Sequence, residues 1–139
     1  FSYHVDGRLG YVINPVITSL SGEKVLVNEG CLSVPGLWHD TPRRTFARAE
    51  GFDVDGNRVE LSGNGLMAQM LQHECDHLIG RLYPTRMTDL TRLGYTSVLF
   101  PDLDPASDDA RLKSSTDICD GPSSPIEMPP PLTLVLLCG

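Results

Sequence analysis

The sequence predicts an α+β domain, with short strands and sheets packed around one central helix. Three observations carry that expectation. Runs rich in Val and Ile, bounded by turn residues, recur through roughly the first 60 residues. One stretch, 64–79, carries its apolar residues instead at spacings of three, four and seven. Few residues then remain for a second long helix.

Taken in order, residues 11–16 and 23–28 read as two short strands separated by a polar turn at 19–22. A longer β segment follows over 43–54, then Asp55 and Gly56 as a turn, then a return strand over 58–61. Asp-Gly supplies the positive φ that a tight hairpin needs. The helix over 64–79 presents Leu66, Met67, Met70, Leu71, Leu78 and Ile79 as its apolar stripe. Ser62 or Asn64 opens it and Gly80 closes it. Residues 1–104 therefore read as the folded part. Residues 105–139 hold six of the 11 prolines and five serines, with no helical or strand period. Such a segment has too little contiguous apolar surface to offset its ordering entropy, and a disordered tail is expected there. Its Pro129-Pro130-Pro131 run is too short a signal to assign a polyproline ligand.

The chain has 139 residues and is 40% hydrophobic and 21% charged, which suits one domain with a buried core plus a tail. A net charge of −7 disfavours a dedicated nucleic-acid binder, because phosphate recognition needs a basic surface. No apolar run reaches the ~18–20 residues of a membrane span, and the longest cluster, 132–138, is interrupted by Thr133. No membrane association is expected. No signal peptide is visible, although the chain opens at Phe1 without an initiator Met. Cys31, Cys75, Cys119 and Cys138 follow no small-scaffold spacing, so reduced thiols are expected.

Chemistry concentrates in His73-Glu74-Cys75-Asp76-His77. Histidines at i and i+4 lie one above the other on a helix face, so both imidazoles can reach one cation. Glu74, beside the first of them, sits where its carboxylate can hydrogen-bond a metal-bound water rather than bind the metal. Two histidines leave a cation under-coordinated, and a third ligand must come from elsewhere. Cys75 at i+2 from His73 points to another face and reads as core. His4 and His39 fall in segments read as solvent-facing loops. Cys31, at the end of a strand in Asn28-Glu29-Gly30-Cys31-Leu32-Ser33, is the best third ligand, since a thiolate binds divalent metals well.

Glu29-Gly30-Cys31-Leu32-Ser33, followed about 40 residues later by Gln72-His73-Glu74-Cys75-Asp76-His77-Leu78, resembles peptide deformylase. Val34-Pro35-Gly36 after the cysteine motif, and Gly80 and Leu82 after the helix, agree with it. The resemblance covers residues 10–104 and implies an α+β fold with a central metal-binding helix between sheets. The family's first motif, Gly-x-Gly-x-Ala-Ala-x-Gln, is not found, so the expectation is a catalytic domain lacking its N-terminal part.

The resemblance further implies removal of the formyl group from N-formylmethionine of newly made chains, near the ribosome, with release of formate. It implies one divalent transition metal, Fe²⁺ natively with Zn²⁺, Ni²⁺ or Co²⁺ able to replace it, held by Cys31, His73 and His77. Glu74 would move the proton, and the backbone N–H of Leu32 would help hold the charge on the formyl oxygen. A bacterial cytoplasm, or a mitochondrion or plastid, is the expected location. Gly30 would let the substrate backbone approach the strand, with a turn glycine as the alternative. Met70 would line the pocket for the methionine side chain, with core packing as the alternative. Glu29 and Arg43 would pair to support the cysteine loop, and Asp76 would orient a ligand histidine. A catalytically weak or inactive metal-binding relative is the competing reading. A zinc metallopeptidase sharing only the helix motif is a more distant one, since Asp89, the first acidic residue after the helix, is a poor third ligand.

Overall fold

Alternate residues Tyr3 and Val5 turn inward from the first strand, β1 (Ser2–Val5). The structure, a computed structural model, describes residues 1–95. The expected tail at 105–139, and residues 96–104 before it, lie outside the described residues. β1 pairs antiparallel with β2 (Arg8–Tyr11) through a two-residue turn at Asp6 and Gly7, both at positive φ. That turn geometry matches the right-handed twist of the flanking strands. This hairpin precedes all the strands expected from the sequence.

The two short strands expected at 11–16 and 23–28 are in fact one strand, β3 (Ile13–Cys31). It runs antiparallel to β4 (Val34–Phe52), joined by the two-residue turn Leu32 and Ser33. The polar residues at 19–22 do not reverse the chain. Pairing shifts register between Ile17 and Ser19 and again between Ser21 and Lys24, so the extra residues bulge out of the ladder. β3 lies at the edge of the β3-β4-β5 order, where a bulge disturbs only one partner. β4 begins nine residues earlier than the expected 43, because its first half pairs with the cysteine-bearing end of β3.

The expected hairpin at Asp55 and Gly56 is present. Asp53 accepts hydrogen bonds from the backbone N–H of Asp55 (2.9 Å) and of Asn57 (2.8 Å), closing the loop into β5 (Arg58–Asn64). A short β6 (Gly94–Tyr95) pairs with Leu37 and Trp38 of β4.

α1 (Gly65–Leu78) follows β5 directly, with Asn64 at the cap position but without a side-chain cap bond. Its C-terminal end is closed more firmly. Gly80 at φ +73° donates to the carbonyl of His77 (3.0 Å), and Arg81 donates to that of Asp76 (2.8 Å). This doubled closure requires the left-handed conformation that glycine adopts without penalty. The helix lies on the sheet over Ala47, Ala49 and Leu61, packing Met67, Ala68, Met70, Leu71 and Cys75 against them with Tyr3, Val5 and Val12. Alanines at both sheet positions let the helix approach closely. Two glutamines then pin it in register. Gln72 accepts from the N–H of Arg44 (3.0 Å) and donates to its carbonyl (2.9 Å), and Gln69 donates to the carbonyl of Asn28 (3.3 Å). β5 pairs with β4 only as far as Phe46, so Gln72 supplies the partners that a strand would have given Arg44. After α1, the 3₁₀ turns Tyr83–Arg86 and Leu90–Arg92 lead towards β6.

Candidate metal centre

One turn of α1 separates His73 from His77, and their rings meet edge to face with centroids 4.7 Å apart. Their Nε2 atoms lie 3.0 Å from each other. Cys31, the last residue of β3, brings Sγ to 3.3 Å from Nε2 of His77. The ligand atoms of Cys31, His73 and His77 all lie within 4.8 Å of one another. Tetrahedral bonds of ~2.0–2.3 Å would separate two nitrogens by roughly 3.4 Å and a nitrogen from a sulfur by roughly 3.6 Å. The His73–His77 and Cys31–His77 separations therefore stand within a few tenths of an ångström of the spacing one cation requires. Their thiolate and imidazole chemistry suits a transition metal.

The supporting groups explain why these atoms converge. Nδ1 of His73 donates to Oε1 of Glu29, which leaves Nε2 as the lone-pair nitrogen facing Cys31 and His77. Glu29 is completely buried and is gripped by both arms of Arg43, Nη2 to Oε1 at 2.6 Å and Nε to Oε2 at 2.9 Å. Burial alone would raise its pKa, but the bonds from His73 and Arg43 outweigh that and hold the carboxylate below its ordinary value. The ion pair expected between Glu29 and Arg43 is thus present. Asp76, expected to orient a ligand histidine, does something else. It accepts from Arg43 (2.7 Å) and from Arg86 (2.5 and 3.1 Å), so the histidine-orienting carboxylate is Glu29. His77 is held below its ordinary pKa, first by burial and then by the charge of His73, which favours the neutral, ligating imidazole.

Glu74 is buried beside the first histidine, and its Oε1 has no hydrogen-bond partner. Burial pushes its carboxyl up to about 7, against the opposing pull of His73. An orphaned buried carboxyl oxygen is costly unless something else fills its coordination, and a water held at the cation site would do so. Cys75 packs in the core, and burial pushes its thiol up to about 11, so it stays protonated. Neither Cys31 nor Cys75 is in a disulfide.

Other candidates fall differently. Leu32 occupies the first turn position after Cys31 and is 55% exposed. Gly30 lies opposite Trp38, and a Cβ there would come within 3.0–3.1 Å of the indole ring. Packing against Trp38 is therefore reason enough for glycine at this position. Met70 has no exposed surface and belongs to the core cluster. That placement agrees with the packing alternative. His39 is not a loop residue: it lies on β4, is buried, and its Nε2 donates to the carbonyl of Asp89 (2.6 Å). His4 is exposed on β1. Arg86 escaped the sequence reading altogether, since nothing local marks a cation on a 3₁₀ turn as a partner of the helix. A cavity of about 640 Å³ is lined by Leu20, Lys24, Arg43, Asp76, Ile79 and Arg86 among others, and none of the three metal-ligand candidates borders it. Among the described residues no helix is long and apolar enough to cross a membrane.

Comparison with known proteins agrees with this arrangement. "Peptide deformylase 2" of Bordetella bronchiseptica is 58% identical over 95 residues, covering 68% of this chain and 54% of that protein. "Peptide deformylase 2" of Pseudomonas syringae is 50% identical over 98 residues, 70% of this chain and 55% of that protein. Among solved structures, a peptide deformylase from Synechococcus elongatus in complex with actinonin matches with a TM-score of 0.61 at 32% identity, covering 66% of this chain and 50% of that one. The Thermus thermophilus peptide deformylase matches at 0.56 and 43% identity, covering 61% and 50%. The chain spans about half the length of the curated relatives it matches. The family model described as polypeptide deformylase matches residues 3–93, two-thirds of the sequence and the whole of the site above, and the chain belongs to that family.

Proposed function

We propose that this chain carries the metal centre of a peptide deformylase, a hydrolase that removes the formyl group from N-formylmethionine at the start of new proteins and releases formate. The observation that carries the reading is the convergence of Cys31, His73 and His77 beside a buried, unpartnered Glu74 oxygen. Cys31, His73 and His77 would hold one divalent transition metal. When bound, such a metal supplies Lewis acidity and makes water nucleophilic near neutral pH. Fe²⁺ is the native ion in this reading, with Zn²⁺, Ni²⁺ or Co²⁺ as replacements.

Glu74 accepts a proton from the attacking water and returns it to the departing methionine amine. A carboxyl with a pKa of about 7 can do both at neutral pH. Leu32 offers its backbone N–H, from the turn beside Cys31, to the negative charge growing on the formyl oxygen. Glu29 keeps His73 in the tautomer that leaves Nε2 free to ligate. The substrates are formyl-Met peptides of nascent chains, met near the ribosome. The bacterial names among the relatives favour a bacterial cytoplasm over an organelle.

The test is formate release from a formyl-Met peptide by the chain loaded with Fe²⁺ or Co²⁺, with metal content measured on the same sample. Metal bound one to one without formate release would overturn the enzymatic reading in favour of a metal-binding relative.

A further inference from the structure

Arg86 has no part in the chemistry described above, yet it completes a chain of contacts that ends on Nδ1 of His73, the ring nitrogen opposite the one facing Cys31 and His77. It lies on the 3₁₀ turn Tyr83–Arg86, beyond the end of α1. Its Nη2 donates to Oδ1 of Asp76 at 2.5 Å and its Nε to Oδ2 at 3.1 Å. Oδ2 of Asp76 also accepts Nη1 of Arg43 at 2.7 Å. Arg43 in turn grips both oxygens of Glu29, and Oε1 of Glu29 accepts Nδ1 of His73.

We infer that Arg86 is a positioning residue of the metal centre, acting through Asp76, Arg43 and Glu29 on the ring of His73. The inference rests on the reading of Cys31, His73 and His77 as metal ligands. Each intermediate is planar and is held by at least two bonds, so orientation passes along the series. With both its oxygens engaged by Arg86, the carboxylate of Asp76 has a fixed plane, and Oδ2 is presented to Arg43 in one direction. A guanidinium tied at Nη1 has little freedom left at Nε and Nη2, and those are the atoms that hold Glu29.

Charge makes the same point. Glu29 and Asp76 contribute two negative charges, and Arg43 and Arg86 two positive ones. The side chains of Glu29, Arg43 and Asp76 are 0%, 4% and 7% exposed, while Arg86 is 36% exposed. Arg86 is thus the one member that closes the balance from the surface. Without it, two buried carboxylates must share the single guanidinium of Arg43. A buried charge left short of partners is expensive, so Arg43 would move towards Asp76 and loosen on Glu29. His73 would then lose its fixed ring orientation, and Nε2 would no longer be held towards Cys31 and His77.

The test uses the 139-residue chain and Co²⁺, followed by the thiolate-to-cobalt absorption band in a competition titration. Arg86→Ala should weaken Co²⁺ binding about tenfold, the low end of what groups behind a metal ligand are worth. Arg86→Lys keeps the charge without the fork and should recover only part of that loss. The decisive comparison is the double variant with Glu29→Gln. If Arg86 acts through Glu29, R86A/E29Q binds Co²⁺ no more weakly than E29Q alone. In the zinc-loaded protein, the ring N–H resonance of His73 should shift in R86A. Full additivity of the two losses, or a thermal destabilisation of R86A with unchanged Co²⁺ affinity and an unchanged His73 resonance, would overturn the inference. Should R86A fail to fold, R86K and Arg86→Gln carry the same cycle. None of these readouts requires formyl peptide, so an inactive chain that still shows the coupling supports the role of Arg86 while the deformylase reading fails separately.

Discussion

His73 donates through Nδ1 to a completely buried Glu29, forty-four residues earlier on β3, and this bond turns the opposite nitrogen towards Cys31 on that same strand. One stretch of strand therefore supplies both a candidate ligand and the group that orients another. β3 and α1 meet twice at the candidate site, through Glu29 on His73 and through Cys31 on His77.

Glu29→Gln tests that relationship. The amide can still accept a hydrogen bond but leaves Arg43 without its carboxylate. Metal affinity should fall ~10–100-fold, as for other partners of ligating histidines. Breaking a buried ion pair from one side should also cost the metal-free protein ~3–5 kcal/mol. Metal titration and urea unfolding read the two effects separately, and unchanged affinity would remove Glu29 from the site.

Cys31→Ala should abolish tight metal binding, while Cys75→Ala should leave it intact. Sγ of Cys31 lies 3.3 Å from His77, whereas Cys75 packs in the apolar core. Equilibrium dialysis against Zn²⁺ distinguishes them. Equal loss in both variants would mean that the third ligand has been misassigned.

Much of this site was legible because it is local. The i, i+4 histidines, Gly80 as helix stop and the Asp55–Gly56 hairpin all follow from neighbours within a few residues. Cys31 was reached through chemistry, since a thiolate at a strand end suits two imidazoles, and the fold brings its Sγ to 3.3 Å from His77. The failures are non-local. Residues 19–22 carry turn composition, and only pairing with β4 shows that they bulge instead of reversing. Asp76 attracted a histidine-orienting role by adjacency, yet its carboxylate is taken by Arg43 and Arg86, and Glu29 holds His73 from β3. His39 was read as a loop residue because β4 begins earlier than its apolar pattern suggests. The first hairpin, in contrast, had one readable signal, Asp6-Gly7 as a tight turn; its apolar residues share no face, since Tyr3 and Val5 lie opposite Gly10 and Arg8 while Leu9 and Tyr11 are exposed.

Gln72→Ala should destabilise the protein without touching the ligand set. It removes the acceptor for Arg44 N–H and the donor to its carbonyl, leaving both backbone groups short of partners. An unsatisfied buried polar group costs ~1–3 kcal/mol, and these bonds are only partly buried. Chemical denaturation should show a loss at or below the low end of that range, with metal stoichiometry unchanged. No loss would mean that water replaces the amide.

Acid stability should depend in part on Asp53. Hydrogen bonds from the side chain and backbone of Asn57 are the leading cause that holds its carboxylate below the ordinary value. A folded-state pKa lowered in this way contributes stability above the unfolded value. That contribution is lost as pH falls from about 4. Asp53→Asn should therefore flatten the stability profile on the acid side of that point, leaving neutral pH little changed by this linkage. Parallel profiles for the two proteins below pH ~4 would show that the turn does not titrate with folding.

Glu74→Gln separates binding from catalysis. Glu74 lies beside the candidate ligands and outside their cluster, and its buried Oε1 has no hydrogen-bond partner. The amide keeps the shape and removes the ability to take a proton at neutral pH. Metal content should stay at one per chain, while kcat on a formyl-Met peptide falls ~10²–10⁴-fold, the usual worth of a positioned general base. Stability should move the other way. A carboxyl that burial has raised to about 7 is partly ionised at neutral pH in a site that disfavours its charge. Gln removes that penalty, so the metal-free variant should unfold at a temperature equal to or above that of the parent. A variant that is inactive, metal-loaded and no less stable would mark Glu74 as a residue kept for chemistry at the expense of folding. Retained activity would instead hand the proton transfer to another group and overturn the mechanism.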